Sequence, residues 1–205
     1  GSTSLKLRKK LSQEAFNLTA YYDSVISEYL SLENNDYFPQ KKTIHGNLIE
    51  TLRYGENPHQ KSAIYSKNNN LNISQLNGKK LSYNNYNDIY AALNISKTLP
   101  KNIGTVIVKH ANPCGVSINK NGIKSFNEAL GCDPISAFGG IVSCNFKIKK
   151  KVAEELNKIF LEVIIANGFD KVSLKILRKK KNLRLIDASK LKNQNFSNVV
   201  SNFDS

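Results

Sequence analysis

The 205-residue sequence contains no tryptophan and no methionine. The missing methionine reads as a segment of a longer protein. Cysteine is scarce: Cys114, Cys132 and Cys144 are odd in number and widely spaced. That excludes a disulfide framework and suits a reducing cytoplasm. No apolar run approaches the roughly 20 residues that cross a bilayer as a helix, so no membrane partner is expected. Acidic residues are few, 16 against 30 lysines and arginines, which leaves a net charge of +14. Such a balance admits a basic nucleic-acid-binding module. The basic residues are nevertheless scattered or gathered in short clusters, as at Lys147 to Lys151 and Arg178 to Lys181. No zinc finger, helix-turn-helix pattern or aromatic RNA-binding signature accompanies them, and charge alone is weak evidence of a nucleic-acid partner. A positive field serves a phosphorylated small molecule equally well.

What is present is globular in kind: 40% of residues are hydrophobic and 22% charged. Residues 8 to 32 predict a helix, because Leu11, Ala15, Leu18, Tyr22, Val25, Ile26 and Tyr29 recur at helical spacing. Glu33 to Asn47, with Asn34-Asn35-Asp36 and Pro39, reads as a linker, so the first boundary falls at 47 and a second region runs from 48 to 205. In that region short strands are expected at 63–65, 105–108, 141–142, 163–165 and 183–186. Helices are expected at 84–99, 124–130, 149–160 and 173–178, a turn at 132–140, and a polar, aperiodic tail from 189. Alternating apolar strands and helices predict an α/β layered sheet with flanking helices.

Three runs carry candidate chemistry. The strand Thr105 to Val108 ends in Lys109-His110, followed by Asn112-Pro113-Cys114-Gly115, which reads as a tight turn. Ligands of open α/β sheets sit beyond the carboxyl ends of strands. Lys109 and His110 are expected there as an electrostatic stabiliser and a general base. Cys114 is a conceivable nucleophile, although a buried structural thiol is the commoner case. The second run, Arg53-Tyr54-Gly55-Glu56-Asn57-Pro58-His59-Gln60, joins a fork of donors for phosphate to a ring that can cover a flat heterocycle. The third, Asp133 to Gly140, offers glycines through which backbone amides could approach a ligand. Glu162, at the head of a strand, is a possible hydroxyl acceptor. His110 and Pro113-Cys114 partly match the zinc deaminase signature, but Asn112 stands in place of its glutamate and Ser117 in place of its second cysteine. No zinc is expected.

In order and spacing, Leu52 to Gln60, Leu81-Ser82-Tyr83-Asn84-Asn85, Val108 to Gly115, Asp133 to Val142 and Glu162 to Ala166 resemble the transformylase part of a family. That family is the bifunctional AICAR transformylase/IMP cyclohydrolases of purine biosynthesis. The resemblance covers Arg8 to Ile186, and Asn167 departs from it by standing where the family has proline. It implies a deaminase-like, zinc-free fold. It also implies formyl transfer from the co-substrate 10-formyltetrahydrofolate to the 5-amino group of 5-aminoimidazole-4-carboxamide ribonucleotide (AICAR). By resemblance His110 is the base and Lys109 its partner, while Arg53, Tyr54, His59, Gly139 and Glu162 contact the nucleotide. Residues 1–47 then resemble the closing helix of a preceding cyclohydrolase domain with its linker, and 48–205 the first transformylase subdomain. The family's second subdomain supplies the folate pocket, a further catalytic asparagine and much of a homodimer interface. The segment alone is therefore expected to turn over little substrate. A basic nucleic-acid-binding module, or another nucleotide-processing enzyme on the same fold, are the rival readings.

Overall fold

Ser4 starts the first helix: its hydroxyl accepts the Leu7 N–H at 3.2 Å, a common N-terminal cap. The computed structural model describes residues 3 to 191, so the predicted tail lies outside the described residues from 192 onward. The chain divides into two units, Gly1–Thr51 with Ala63–Asn70, and Leu52–Ser62 with Leu71–Ser205.

The first unit holds helix α1 (Leu5–Glu33) and an antiparallel hairpin of β1 (Asn47–Thr51) and β2 (Ala63–Ser66). Glu28 ties helix to hairpin. Its carboxylate accepts from the Lys67 ammonium and lies 3.5 Å from His45 Nε2. The Lys67 bond holds the Glu28 carboxyl below the usual carboxylate range. Asn47 Nδ2 donates to the Tyr21 hydroxyl at 3.1 Å, and the Tyr21 and His45 rings meet edge to face. The apolar stripe predicted for α1 is helical as expected. It is not a core face, since no residue of α1 is buried and Phe16 and Leu18 are about 70% exposed.

The second unit is a mixed six-stranded sheet between helices, which is the α/β layering the sequence predicts. Its elements are β3 (Ser74–Asn77), α2 (Tyr83–Thr98), β4 (Gly104–Lys109), β5 (Asn112–Ile118), α3 (Gly122–Cys132), α4 (Pro134–Ala137), β6 (Ile141–Cys144), α5 (Lys150–Leu156), β7 (Val163–Ala166), α6 (Lys171–Leu177) and β8 (Arg184–Asp187). The strand order is β3-β8-β7-β6-β4-β5. Strands β6, β7 and β8 run parallel; β4 is antiparallel to both its neighbours, and β3 to β8. Every residue of β6 and β7 is buried, as expected for β-branched strands covered on both faces. Strand alternation sends Ile107, Val142, Cys144, Ile164, Ala166 and Leu185 into one core with Phe126, Ala129, Val152, Leu156 and Leu177 of α3, α5 and α6. The opposite parity faces α2, which packs on β4, β6 and β7 and buries Ile89, Ala92 and Leu93.

Three strands escaped the sequence reading. Strand β3 is polar and lies at an edge, and β1 lies within and just beyond the expected linker. Strand β5 is the more instructive case. Asn112-Pro113-Cys114-Gly115 is not a turn but the start of the returning strand. Proline is tolerated there because β5 is the sheet's edge strand. Register slips between Ile107 and Val108, which leaves Cys114 as the extra residue of a bulge. Helix α4 occupies the middle of the expected 132–140 turn. The helix expected at 149–160 stops earlier, at Leu156.

Gly115 allows α3 to lie against β5: a Cβ there would overlap the Ala129 carbonyl oxygen. Gly115→Ala is expected to lower stability by about 2 kcal/mol or more through forced displacement of packed backbone, read as a fall in urea midpoint. An unchanged midpoint would contradict this packing. At α6, Asp170 Oδ1 accepts the Ser173 N–H at 2.6 Å, and this bond holds the Asp170 carboxyl below its ordinary value. Its contribution is therefore complete above the unfolded carboxyl range near pH ~4 and disappears as pH falls toward the folded value. Asp170→Asn keeps a capping acceptor without a titration. Between about pH 6 and pH 3 the parent chain should lose more stability than Asp170→Asn; equal losses would contradict the assignment.

Candidate functional site

Strand β4 turns back on itself in two residues. Lys109 pairs with Asn112, and His110 and Ala111 between them have φ of 52° and 59°. Left-handed backbone at both positions is the requirement of a type I′ hairpin turn, whose usual residues are asparagine and glycine. An L-residue with a Cβ is strained there by about 1–2 kcal/mol. The tight turn is thus at His110 and Ala111, two residues earlier than the sequence suggests. Two side chains brace it. Ala111 N–H donates to Asp88 Oδ1 of α2 at 2.7 Å, and Asn112 Nδ2 donates to the His110 carbonyl at 2.8 Å. The His110 side chain is exposed, and among the described residues no group hydrogen-bonds its ring.

Register decides what shares this edge. Val108 pairs with Ile141, Ile141 with Val163, and Val163 with Arg184. The next row outward is Lys109, Gly140, Glu162 and Leu183. Because β4 runs against β6, its carboxyl end lies at the amino ends of the three parallel strands. The expectation that Lys109 and His110 sit at the carboxyl edge is therefore right for β4 alone and reversed for β6, β7 and β8.

Along this edge Lys109 Nζ donates to the Phe138 carbonyl at 3.0 Å, and the Phe138 and Phe160 rings lie 5.3 Å apart. Gly139 adopts φ of 75°, as an L-residue rarely does, and its N–H donates to the Phe160 carbonyl at 2.9 Å. Gly140 N–H donates to Ala137. Both glycine N–H groups are thus engaged within the protein. Glu162 Oε2 accepts from Asn85 Nδ2 at 3.2 Å and lies 3.8 Å from Arg184 Nη1. Asn85 also closes a reciprocal capping box with Ser82 at the start of α2, so helix capping and carboxylate positioning use one side chain. Asp133 caps α4, and its bonds from Ser136 hold its carboxyl below the usual range. Burial and the Asp133 charge push the Cys114 thiol up, which leaves it protonated at neutral pH and a poor nucleophile. Burial pushes Cys144 up to about 12.

Arg53, Tyr54 and His59 stand on the loop between β1 and β2. The loop is tied to itself: Gly55 N–H donates to the Gln60 carbonyl, Asn57 N–H to Gln60 Oε1, and the Ser62 hydroxyl to the Tyr54 carbonyl. The Arg53 guanidinium lies 5.8 Å from the Tyr54 ring centre. His59 is exposed. Among the described residues no hydrogen bond or ion pair joins these three to Lys109 or His110. The structure therefore gathers Lys109, His110, Gly139 and Glu162 on one edge and presents the arginine loop separately. Sequence reading missed Asp88, Asn85 and Arg184. Ser82-Tyr83-Asn84-Asn85 announces a cap, but nothing in the sequence says that Asp88 reaches a turn 23 positions later.

A cavity of about 330 Å³ opens at the opposite, carboxyl edge of β6 and β7, lined in part by Lys97, Lys101, Asn145 and Asn167. Its amides are engaged in holding the chain. Asn145 accepts from Gly104 N–H and donates to the Ser96 and Pro100 carbonyls, and Asn167 donates to the Asn145 carbonyl. Among the described residues no imidazole or carboxylate lines it. Among the described residues no group of three histidine, cysteine, aspartate or glutamate side chains is placed to hold a metal. No described helix is long and apolar enough to cross a membrane.

A family model described as AICARFT/IMPCHase bienzyme matches residues 1–204. The chain belongs to the AICARFT/IMPCHase bienzyme family. Relatives named bifunctional purine biosynthesis protein PurH include that of Clostridioides difficile, 42% identical over 195 residues, which cover 92% of this chain and 38% of that protein. The protein of Listeria monocytogenes serotype 4a is 44% identical over 191 residues, covering 91% of this chain and 37% of the relative. That of Caulobacter vibrioides is 43% identical over 192 residues, covering 91% and 36%. This member of the AICARFT/IMPCHase family thus spans less than two-fifths of the length of these relatives. Among solved structures, RibD of Acinetobacter baumannii aligns with a TM-score of 0.39 at 16% identity, over 49% of this chain and 35% of that one. That likeness is too low to define the fold.

Proposed function

We propose that the edge bearing Lys109, His110, Gly139 and Glu162 is the nucleotide side of a formyl-transfer site in a bifunctional purine biosynthesis enzyme. The observation that carries this reading is the braced His110 turn directly beyond Lys109, which shares the outermost row of the sheet edge with Glu162. The substrates are AICAR and 10-formyltetrahydrofolate. The AICAR amine is conjugated with a carboxamide and is a weak nucleophile. As its nitrogen attacks the formyl carbon, the His110 ring takes its proton. The new C–N bond creates a tetrahedral oxyanion, which the Lys109 ammonium stabilises. Collapse breaks the bond from the formyl carbon to N10 of the folate, and the proton held by His110 passes to that nitrogen as tetrahydrofolate leaves.

The supporting side chains fit these tasks. Lys109 spends one of its three donors on the Phe138 carbonyl and keeps two. Glu162 uses Oε2 for Asn85 and Arg184, leaving Oε1 to accept from a ribose hydroxyl. Arg53 and Tyr54 suit a phosphate and a flat imidazole, with His59 beside them. Gly139 touches the nucleotide through its carbonyl or Cα, since its N–H is taken by Phe160. The antiparallel hairpin beside three parallel strands is compatible with a deaminase-like layer working without zinc. Residues 1–47 are assigned to the closing helix of a cyclohydrolase domain and its linker, and 48–205 to the first transformylase subdomain. The whole enzyme is a cytoplasmic homodimer that also closes the product to IMP, with neither nucleic acid nor membrane as a partner.

His110→Ala in the family-length protein is expected to lower formyl transfer by about 100-fold or more while cyclohydrolase activity persists. Unchanged formyl transfer would overturn the assignment of the base. The 205-residue chain assayed alone with both substrates should show little or no turnover, because the folate pocket belongs to the second subdomain. Robust activity would contradict that division of labour.

A further inference from the structure

We propose that Asp88 is a positioning residue for formyl transfer, acting through the backbone of the turn that presents His110. The inference rests on the formyl-transfer reading. A two-residue hairpin leaves the N–H groups of both turn residues outside the strand ladder. The Ala111 N–H finds Asp88 Oδ1 at 2.7 Å, on a helix that packs against β4. Left-handed backbone is unfavourable for alanine and only tolerated by histidine. The turn therefore persists because something outside it holds it, and the Asp88 carboxylate is the acceptor that does so. Asp88 lies on the first turns of α2, one helical turn beyond Asn85. Asn85 is buried and binds Glu162. One rigid helix thus fixes both ends of the proposed site, the base through Asp88 and the hydroxyl acceptor through Asn85. In neither case does its side chain need to touch substrate.

The test uses the family-length bienzyme and measures both activities of every variant. Asp88→Ala removes the acceptor and is expected to lower kcat for formyl transfer by about tenfold or more, with KM for AICAR changed by about threefold at most. Cyclohydrolase activity, carried by the other domain, should be retained. Asp88→Asn keeps an acceptor oxygen and should keep most of the rate. Ala111→Gly added to Asp88→Ala should restore a large part of the loss, because glycine enters the left-handed region without support. Should the alanine variant fail to fold, Asp88→Ser, whose hydroxyl is too short to span the gap, poses the same question. Full kcat in Asp88→Ala or Asp88→Ser, or a loss that neither Asp88→Asn nor Ala111→Gly relieves, would overturn the proposal. His110→Ala separates the two readings. If it is inactive while Asp88→Ala is not, only the positioning role fails. If it is fully active, the formyl-transfer site itself fails.

Discussion

A hairpin closed by two residues has no slack, and at His110 and Ala111 the backbone must be left-handed twice in succession. Neither residue is chosen for that geometry. Its persistence depends on what surrounds it: the paired strands β4 and β5 below, the Asn112 amide on one carbonyl, and the Asp88 carboxylate on one N–H. Exposed loops usually trade position for freedom. This one is anchored on both sides, so rigid elements hold the backbone that carries an imidazole open to solvent. Strain concentrated at such a place persists only where the surrounding structure holds it.

The second constraint is strand direction. Had β4 run parallel to β6, Lys109 would have faced the cavity end of the sheet, beside Asn145 and Lys97. Running antiparallel, it meets the amino ends of β6, β7 and β8, where Gly140 and Glu162 enter. The bonds of Glu162 N–H to the Gly140 carbonyl and of Arg184 N–H to the Glu162 carbonyl continue the ladder to the very rim. The row of Lys109, Gly140 and Glu162 is therefore a direct extension of sheet register rather than a chance meeting of loops. Helix α2 covers one face of these strands and delivers Asn85 and Asp88 to the same rim.

Much of this was legible in the residues, for reasons that differ by element. Val163-Ile164-Ile165 and Val106-Ile107-Val108 are β-branched runs that could only be buried strands, and they are. Lys109 and His110 stand where an apolar run breaks, which marks a rim regardless of topology. The direction of β4 relative to β6 was not legible, because apolar content carries no sign of parallel or antiparallel pairing. Strand β5 was hidden because Asn-Pro-Cys-Gly has turn composition, and only edge position and a bulge make it a strand. The amides of Gly139 and Gly140 looked available because sequence cannot show that Phe160 and Ala137 already claim them. Asp88 was invisible for the plainest reason: its partner is a backbone N–H, and every residue but proline has one.

On the proposed reading the braced left-handed turn carries the base His110 to the nucleotide amine. The most direct measurement is a crystal structure of the family-length protein with AICAR bound. The 5-amino nitrogen should lie about 3 Å from a His110 ring nitrogen, with φ still positive at His110 and Ala111 and the Ala111 N–H still on Asp88. A nucleotide seated at the Lys97 and Asn145 cavity on the opposite edge, with its amine far from His110, would contradict the account.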